Sequence, residues 1–488
     1  MATRKKTTVR KTPARTKTVK KKTVRKTPPK TTPARKPTQP ATPEPGDNTT
    51  APSSASGSTS DGGGPPTGLR VRMYRVGFGD FFLVSVPAGS GYKHILIDCG
   101  VHSKDVRSIQ AAVDHMAQET GKELALIIVT HRHADHVTGF SKCKAVFAQF
   151  KVERIWMSWY EDPEDPKAVT AQSNIAALAF GLQHTLAARG DTDSDESRMV
   201  GNITDAFGAT GTQNPAAFAV LRAFPGDPPI DYYKAGDTPT LPPSLLAAGL
   251  EAQILGPPTD PNLIAKTDNS SQEYIIATAV APTGPIRPFR GAFRVKPADY
   301  TTPVFDLIPR TVVESRVASV QPDMLAAQAA MANNVINNQS LMTLFTYKGK
   351  TLLFAGDAQW GNWANFLYGN VNATVLRPEA VKILSKVDVY KVGHHGSTNA
   401  TPKIALATMR PGCVALCSTA IGAYNRVPRD ELVTAINKQT HNQLARSDQV
   451  AAGDAPADPG AGGPLPSIFK AVSIPLDGTK CGYIDYVA

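Results

Sequence analysis

Cysteine is scarce: the 488 residues hold five, Cys99, Cys143, Cys413, Cys417 and Cys481, an odd number with no CxxC pair among them. That argues against a disulfide framework and for a reducing, cytoplasmic compartment. No apolar run approaches the ~20 residues that a membrane helix needs, so no membrane partner is expected. The amino terminus is basic, yet no apolar stretch follows it to make a secretory signal. Acid is missing from residues 1–40, which carry 15 Lys plus Arg. The remainder has 38 basic and 41 acidic residues, so the net charge of +12 belongs to one tail and the body is close to neutral. Histidine is also sparse, ten in all, and three of the ten fall within six residues.

The tail repeats itself. "TVRKTPAR" at 8–15 returns as "TVRKTPPK" at 23–30, and "TTPARKP" follows at 31–37. Large apolar residues are almost absent, so it cannot bury enough surface to offset its ordering entropy and is expected to be disordered. It resembles in composition the Lys/Pro/Thr/Ala tails of linker histones and histone-like bacterial proteins. Such a run neutralises phosphates without reading sequence, and Lys5, Lys6, Arg10, Lys11, Lys20, Lys21, Lys22, Arg25 and Lys26 are its candidate nucleic-acid contacts. A nucleoid-associated location would follow. The bland alternative is a solubilising tail with no dedicated partner. Residues 41–68, rich in Gly, Ser, Pro and Thr, are a flexible linker by composition.

Folded sequence begins near Leu69. "LRVRMYRV", "FFLVSV", "KHILIDCG" and "ELALIIVT" read as strands, and "VRSIQAAVDHMAQET" has helical spacing. Strands return at 250–256, 341–347, 351–355 and 387–392, with helices at 404–409 and 429–437. This order predicts an α/β domain over 69–488, two packed sheets with helices outside. The middle, about 155–335, is poorly patterned and is read as insertions, with one helix at 173–190.

The chemistry concentrates in "THRHADH". His131, His133, Asp135 and His136 end a buried strand, and imidazole nitrogens and carboxylate oxygens are the donors that Zn²⁺, Mn²⁺ or iron take at neutral pH. Two further apolar strands end on Gly356-Asp357 and on His394-His395. A carboxylate at 357 can bridge two ions, and water between two such ions is acidified enough to act as a hydroxide nucleophile.

With these residues in place, the chain resembles the metallo-β-lactamase-fold hydrolases, whose hallmark is HxHxDH, and within them the soluble metallo-hydrolase domain of the competence protein ComEC. "VGFGDFFLV" (76–84) is similar to that domain's VGQGD strand, and "ILIDCG" (95–100) to its LIDgG. "NNQSLMTLFTYKGKTLLFAGDA" (337–358) matches its NNxSLVL…GKxxLFTGDA, and "YKVGHHGSTNATP" (390–402) its LKVxHHGS. The resemblance implies an αββα sandwich. It implies that His131 and His133 bind a first ion, and that Asp135 and His136 bind a second, with Asp357 between them. The last histidine ligand falls in GHH. His394 is favoured, and His395 is the alternative ligand or orients substrate. Asp135 and His395 are assigned to catalysis. Asp80, Asp98, Asn338, Ser397 and Thr398 are expected to support the ligands or touch substrate.

Two departures matter. Many family members have one more histidine before the GD aspartate, where this chain has Asn337-Asn338; His184 is the lone histidine in between and lies on an expected helix. A C-terminal His-Pro is replaced by Val427-Pro428. The function expected is metal-dependent hydrolysis, using one or two Zn²⁺ ions (Mn²⁺ being the alternative), of phosphodiesters and most of all nucleic acid. Hydrolysis of another ester, amide or phosphoester is the enzymatic alternative. A catalytically inactive nucleic-acid-binding protein is the alternative from another class.

Overall fold

The computed structural model describes residues 68–488 apart from 103, 189–194, 208–212, 275–321, 371–372, 425, 459 and 477. The basic tail and nearly all of the linker, with every tail lysine and arginine named above, lie outside the described residues.

Fourteen strands among the described residues build two sheets. They are β1 (Arg70–Tyr74), β2 (Phe81–Ala88), β3 (Gly91–Cys99), β4 (Glu123–Val129), β5 (Lys151–Ser158), β6 (Ile230–Tyr233), β7 (Leu250–Gly256), β8 (Met342–Tyr347), β9 (Lys350–Phe354), β10 (Val389–Lys391), β11 (Val414–Cys417), β12 (Leu444–Arg446), β13 (Phe469–Leu476) and β14 (Thr479–Val487). The first sheet runs β13-β14-β1-β2-β3-β4-β5-β6 and the second β12-β11-β10-β9-β8-β7. In the first, pairing is antiparallel from β13 to β3 and parallel from β3 to β6. In the second, β9 to β12 are parallel and β7 to β9 antiparallel.

The alternation of side chains explains the layering. Val71, Phe82, Ile97, Leu126, Ile128 and Trp156 of the first sheet meet Ile254, Phe345, Phe354, Val389 and Leu416 of the second in a shared core. Leu83, Leu96, Ile127 and Ile155 point the other way, onto helices Ile109–Thr120, Ala134–Lys142 and Gln213–Arg222. Leu344, Leu353, Tyr390 and Ala415 face helices Trp360–Tyr368, Pro378–Leu384, Lys403–Thr408 and Asp430–Gln439. A parallel strand covered on both faces must be apolar throughout, which is why "LALIIV" of β4 is buried from end to end. The architecture is an αββα sandwich.

The middle of the chain, about 155–335, contains the end of β5, all of β6, and β7, the strand expected at 250–256. Helices Pro166–Ala188, Asp195–Phe207 and Pro322–Asn337 form a further helical layer. Trp159, Tyr160, Leu178, Ile203, Val335 and Ile336 are its core. The helix expected at 173–190 starts earlier, at Pro166. The hairpin β13-β14 was not anticipated; its inner strand pairs with β1, Arg70 opposite Val487. Among the described residues, no helix is long and apolar enough to cross a membrane.

Candidate metal centre

Parallel strands deliver their C-terminal loops to one edge. Here both sheets do so at the same edge: Asp98 ends β3, His131 to His136 follow β4, Asp357 follows β9, the GHHG turn follows β10, and Ser418 follows β11. Backbone contacts lock these loops together. Leu341 N–H donates to the Thr130 carbonyl (2.9 Å), His394 N–H to Gly356 O (3.1 Å) and Asp80 N–H to Asp135 O (2.8 Å). Gly100 lies so close to the metal loop that a Cβ there would sit 2.3 Å from His136 N. Asp98, His394 and His395 adopt left-handed backbone, with φ of 54°, 44° and 53°. Non-glycine residues pay roughly 1–3 kcal/mol for such strain, and it tends to persist at functional sites.

Asp135, His136, Asp357 and His395 each offer a donor atom, and these atoms lie within 4.8 Å of one another. His136 Nε2 is 3.2 Å from Asp357 Oδ2, and His395 Nε2 is 3.0 Å from Asp135 Oδ2 and 3.4 Å from Asp357 Oδ2. The far side of each ring is held. His136 Nδ1–H donates to Asp98 Oδ2 (2.7 Å), whose other oxygen accepts from Thr130 N–H (2.8 Å). His395 Nδ1–H donates to the Ser418 carbonyl (2.9 Å). This is how ligand imidazoles are oriented toward an ion. His136 Nε2 is buried with no hydrogen-bond partner, as a ligand atom aimed at a cation would be.

Beside this group, His131 Nε2 and His133 Nδ1 approach to 3.0 Å, while Ser340 Oγ lies 3.2 Å from His131 Nδ1 and accepts from Asp357 N–H. Of the two histidines in GHH, His395 lies nearer the other donors than His394 does. His394 Nε2 stands 4.0 Å from Asp357 Oδ2 and 3.1 Å from Asn337 Nδ2, and His395 is the fourth donor of the group. Asn338 lies behind these loops. Its amide donates to the carbonyls of Leu263 and Ile264 and accepts from Gln359 and Asn362 N–H, so it is spent on tying loops together. Ser397 and Thr398 are half-buried on the turn after His395, and His184 is exposed on the helix Pro166–Ala188.

Lys391 was overlooked. It is buried beneath the cluster, with Nζ 2.5 Å from Asp80 Oδ2, 3.5 Å from Asp357 Oδ1 and donating to Gly356 O (3.0 Å). It fixes one oxygen of Asp357 and leaves Oδ2 to the histidines. The available signal was a lysine inside an otherwise apolar strand that leads into GHH.

The electrostatics call for positive charge. Asp80, Asp98, Asp135 and Asp357 lie together, and among the described residues in contact with them Lys391 is the one permanent cation. Burial opposes charge on His395, yet Asp357 and Asp80 outweigh it and push its pKa up to about 10. His136 is raised for the same reason, against burial, by Asp357 and Asp98. Burial, the dominant influence at His133, lowers it to about 4, and His131 is lowered too. Without metal, then, protons on His136 and His395 neutralise part of the carboxylate charge. Divalent ions would displace them. The oriented imidazoles, the unpartnered Nε2 and the surplus carboxylate fit a hard-to-borderline divalent metal.

No family model and no curated protein matches the chain. Among solved structures, it is similar to a beta-lactamase domain protein from Burkholderia ambifaria, with 18% identity, a TM-score of 0.22, and coverage of 39% of this chain and 47% of that one.

Proposed function

We propose that the chain is a metal-dependent hydrolase acting on phosphodiesters, with nucleic acid as its substrate and zinc (or manganese) as its metal. The observation that carries the reading is the convergence of Asp135, His136, Asp357 and His395 on one point, with each imidazole pinned from behind. Metal bound there supplies Lewis acidity and an acidified water.

The chain's own groups do the rest. Asp98 and the Ser418 carbonyl set ring orientation. Lys391 holds Asp357 and Asp80 in place. Asp135 and His394 keep 13% and 19% of their side chains exposed and form the mouth of the site. Ser397 and Thr398, beside His395, supply hydroxyls to the non-bridging oxygens of a phosphate, where donors gain strength as charge develops. The basic tail supports a polyanionic substrate, since it would hold the enzyme on it and raise local concentration.

Elemental analysis of the purified protein, with turnover of DNA, RNA and bis-(p-nitrophenyl) phosphate, tests this directly. One to two ions per chain and diester cleavage are expected; no ion even after reconstitution overturns the reading. Deleting residues 1–40 is expected to flatten the salt dependence of DNA binding while sparing the small diester. Six lost phosphate contacts correspond to ~10³ or more in affinity between 50 and 200 mM salt. An unchanged slope would show that the tail is not the tether.

A further inference from the structure

The rim of the metal centre carries an aromatic path that the catalytic reading does not use. Phe78, buried in the loop between β1 and β2, has its ring 4.2 Å from that of His395. On its other side lies the ring of Tyr424, 5.0 Å away and edge-on at 61°. Tyr424 is 42% exposed, and Ile421 on the same turn is 40% exposed. Most other large apolar side chains exposed to this degree among the described residues sit on helices or strand ends; these two sit on one turn after β11.

The turn is fixed against that site. Arg429 N–H donates to Gly396 O (2.8 Å), and Pro428 packs where a Cβ on Gly396 would fall, 2.8 Å away. Ser418, at the start of the same connection, hydrogen-bonds Gly79 O and carries the carbonyl that orients His395. Tyr424 is therefore presented to solvent by the same segment that positions a metal ligand.

Two exposed cations belong to or reach the same turn. Lys104 is exposed, and its Nζ lies 3.9 Å from where a Cβ on Gly422 would be, so its ammonium reaches the turn. Arg426 is exposed two residues beyond Tyr424. A flat aromatic face with an apolar neighbour and cations close by suits a planar base next to a phosphate. Base-on-aromatic stacking tolerates any base and requires that the base be free of its partner strand.

We infer that Tyr424 is the base-stacking residue of a substrate subsite, with Lys104 and Arg426 facing the adjoining phosphates, and that the substrate is single-stranded nucleic acid. This rests on the phosphodiesterase reading above and names its substrate class.

The test compares kcat/KM on a thymine oligodeoxynucleotide, the same length of abasic oligonucleotide, and the thymine strand annealed to its complement. Wild-type protein should prefer the thymine strand over both. Tyr424→Ala should shrink the preference over the abasic strand roughly tenfold or more, chiefly through KM. Tyr424→Phe should retain it, which also shows that the turn still folds. Lys104→Ala and Arg426→Ala should each reduce the slope of log K against log salt by about 0.7. Equal use of thymine and abasic strands by the wild type, or a preference untouched by Tyr424→Ala, overturns the stacking role. A duplex cleaved as well as the single strand overturns the single-strand assignment. Cleavage of no diester at all would instead fail the phosphodiesterase reading, and the two failures are thus distinct.

Discussion

The sandwich has a cluster of buried charge at each end, and the two are built on opposite principles. At the amino ends of β3 and β4, Arg72 makes a two-pronged bond to Asp485 (2.7 Å for each), Arg70 pairs with Glu119, and the Arg72 guanidinium lies 3.8 Å from the centroid of the Tyr483 ring. Two cations meet two anions. His94 and His115 beside them are neutral, with burial as the main cause of pKa values near 4, and hydrogen-bond to Ser85 and Tyr74. A cavity of about 280 Å³ lies there, lined by Tyr92, Lys93, His94 and Glu123 among others. At the carboxyl ends, four carboxylates share one lysine. A dense set of titratable groups is therefore not in itself a sign of function. What distinguishes the two ends is whether the protein's own permanent charges balance; where they do not, the cluster could take a bound cation.

The sharpest way to break this contrast is at Asp357. Asp357→Ala removes the carboxylate that faces both His136 and His395, and we expect a loss of turnover of about 10²- to 10³-fold, of the size seen when a main electrostatic contributor is removed, together with lost metal. His184→Ala, on an exposed helix, should change neither; equal losses would show that the ligand assignment is wrong. Next in size is Arg72→Met. It strands Asp485 without its cation while Glu119 keeps Arg70, a loss typically of about 3–5 kcal/mol for a buried pair, read by denaturant unfolding. Metal content per folded chain should be unchanged, and a parallel fall in metal would mean that the two ends are not independent.

Asp98→Asn keeps shape but weakens the hold on His136. Metal affinity should drop about 10- to 100-fold, measured by competition with a chromophoric chelator, and an unaltered affinity would remove Asp98 from the supporting shell. The smallest effect is a pH profile with opposite signs at the two ends. His94 and His115 have folded pKa values below their unfolded ones, so their contribution is present above about pH 6.5 and fades as pH falls toward 4. His395 is raised to about 10, so in metal-free protein its contribution is present below about 6.5 and fades as pH climbs toward 10. Metal should abolish the alkaline loss, release protons on binding and bind more tightly as pH rises. Melting temperatures from pH 4 to 10 with and without metal check this, and an alkaline limb unaffected by metal would contradict it.

Much of the carboxyl end was legible in the sequence because its residues come in tight runs. Three histidines and an aspartate in one loop, a GD after a strand and a histidine pair after another each announce themselves locally. The relative placement of His394 and His395 was not legible, because two successive left-handed residues set where each ring lies. Lys391 was hidden in an apolar strand. The amino end was illegible for a different reason: Arg72 and Asp485 are 413 residues apart, and nothing local marks them as partners. β6 was absorbed into the poorly patterned middle, since a four-residue edge strand carries little periodicity of its own, whereas β7 was legible at 250–256. Arg132, inside the HxHxDH run, was likewise unreadable. It pairs with Glu161 (2.9 Å) and lies under Phe207, fastening the helical layer to the metal loop.

The pairing of β1 with β14 has a consequence in time. During synthesis β1 emerges early and can pair at once with β2, but its other edge stays open until β14 leaves the ribosome. Arg72 must wait just as long for Asp485. Contacts of such long sequence separation form late, because loop closure precedes their reward. An open strand edge beside an unpaired guanidinium is then the vulnerable species on the way to the native state, the point at which a holding chaperone would have most to protect.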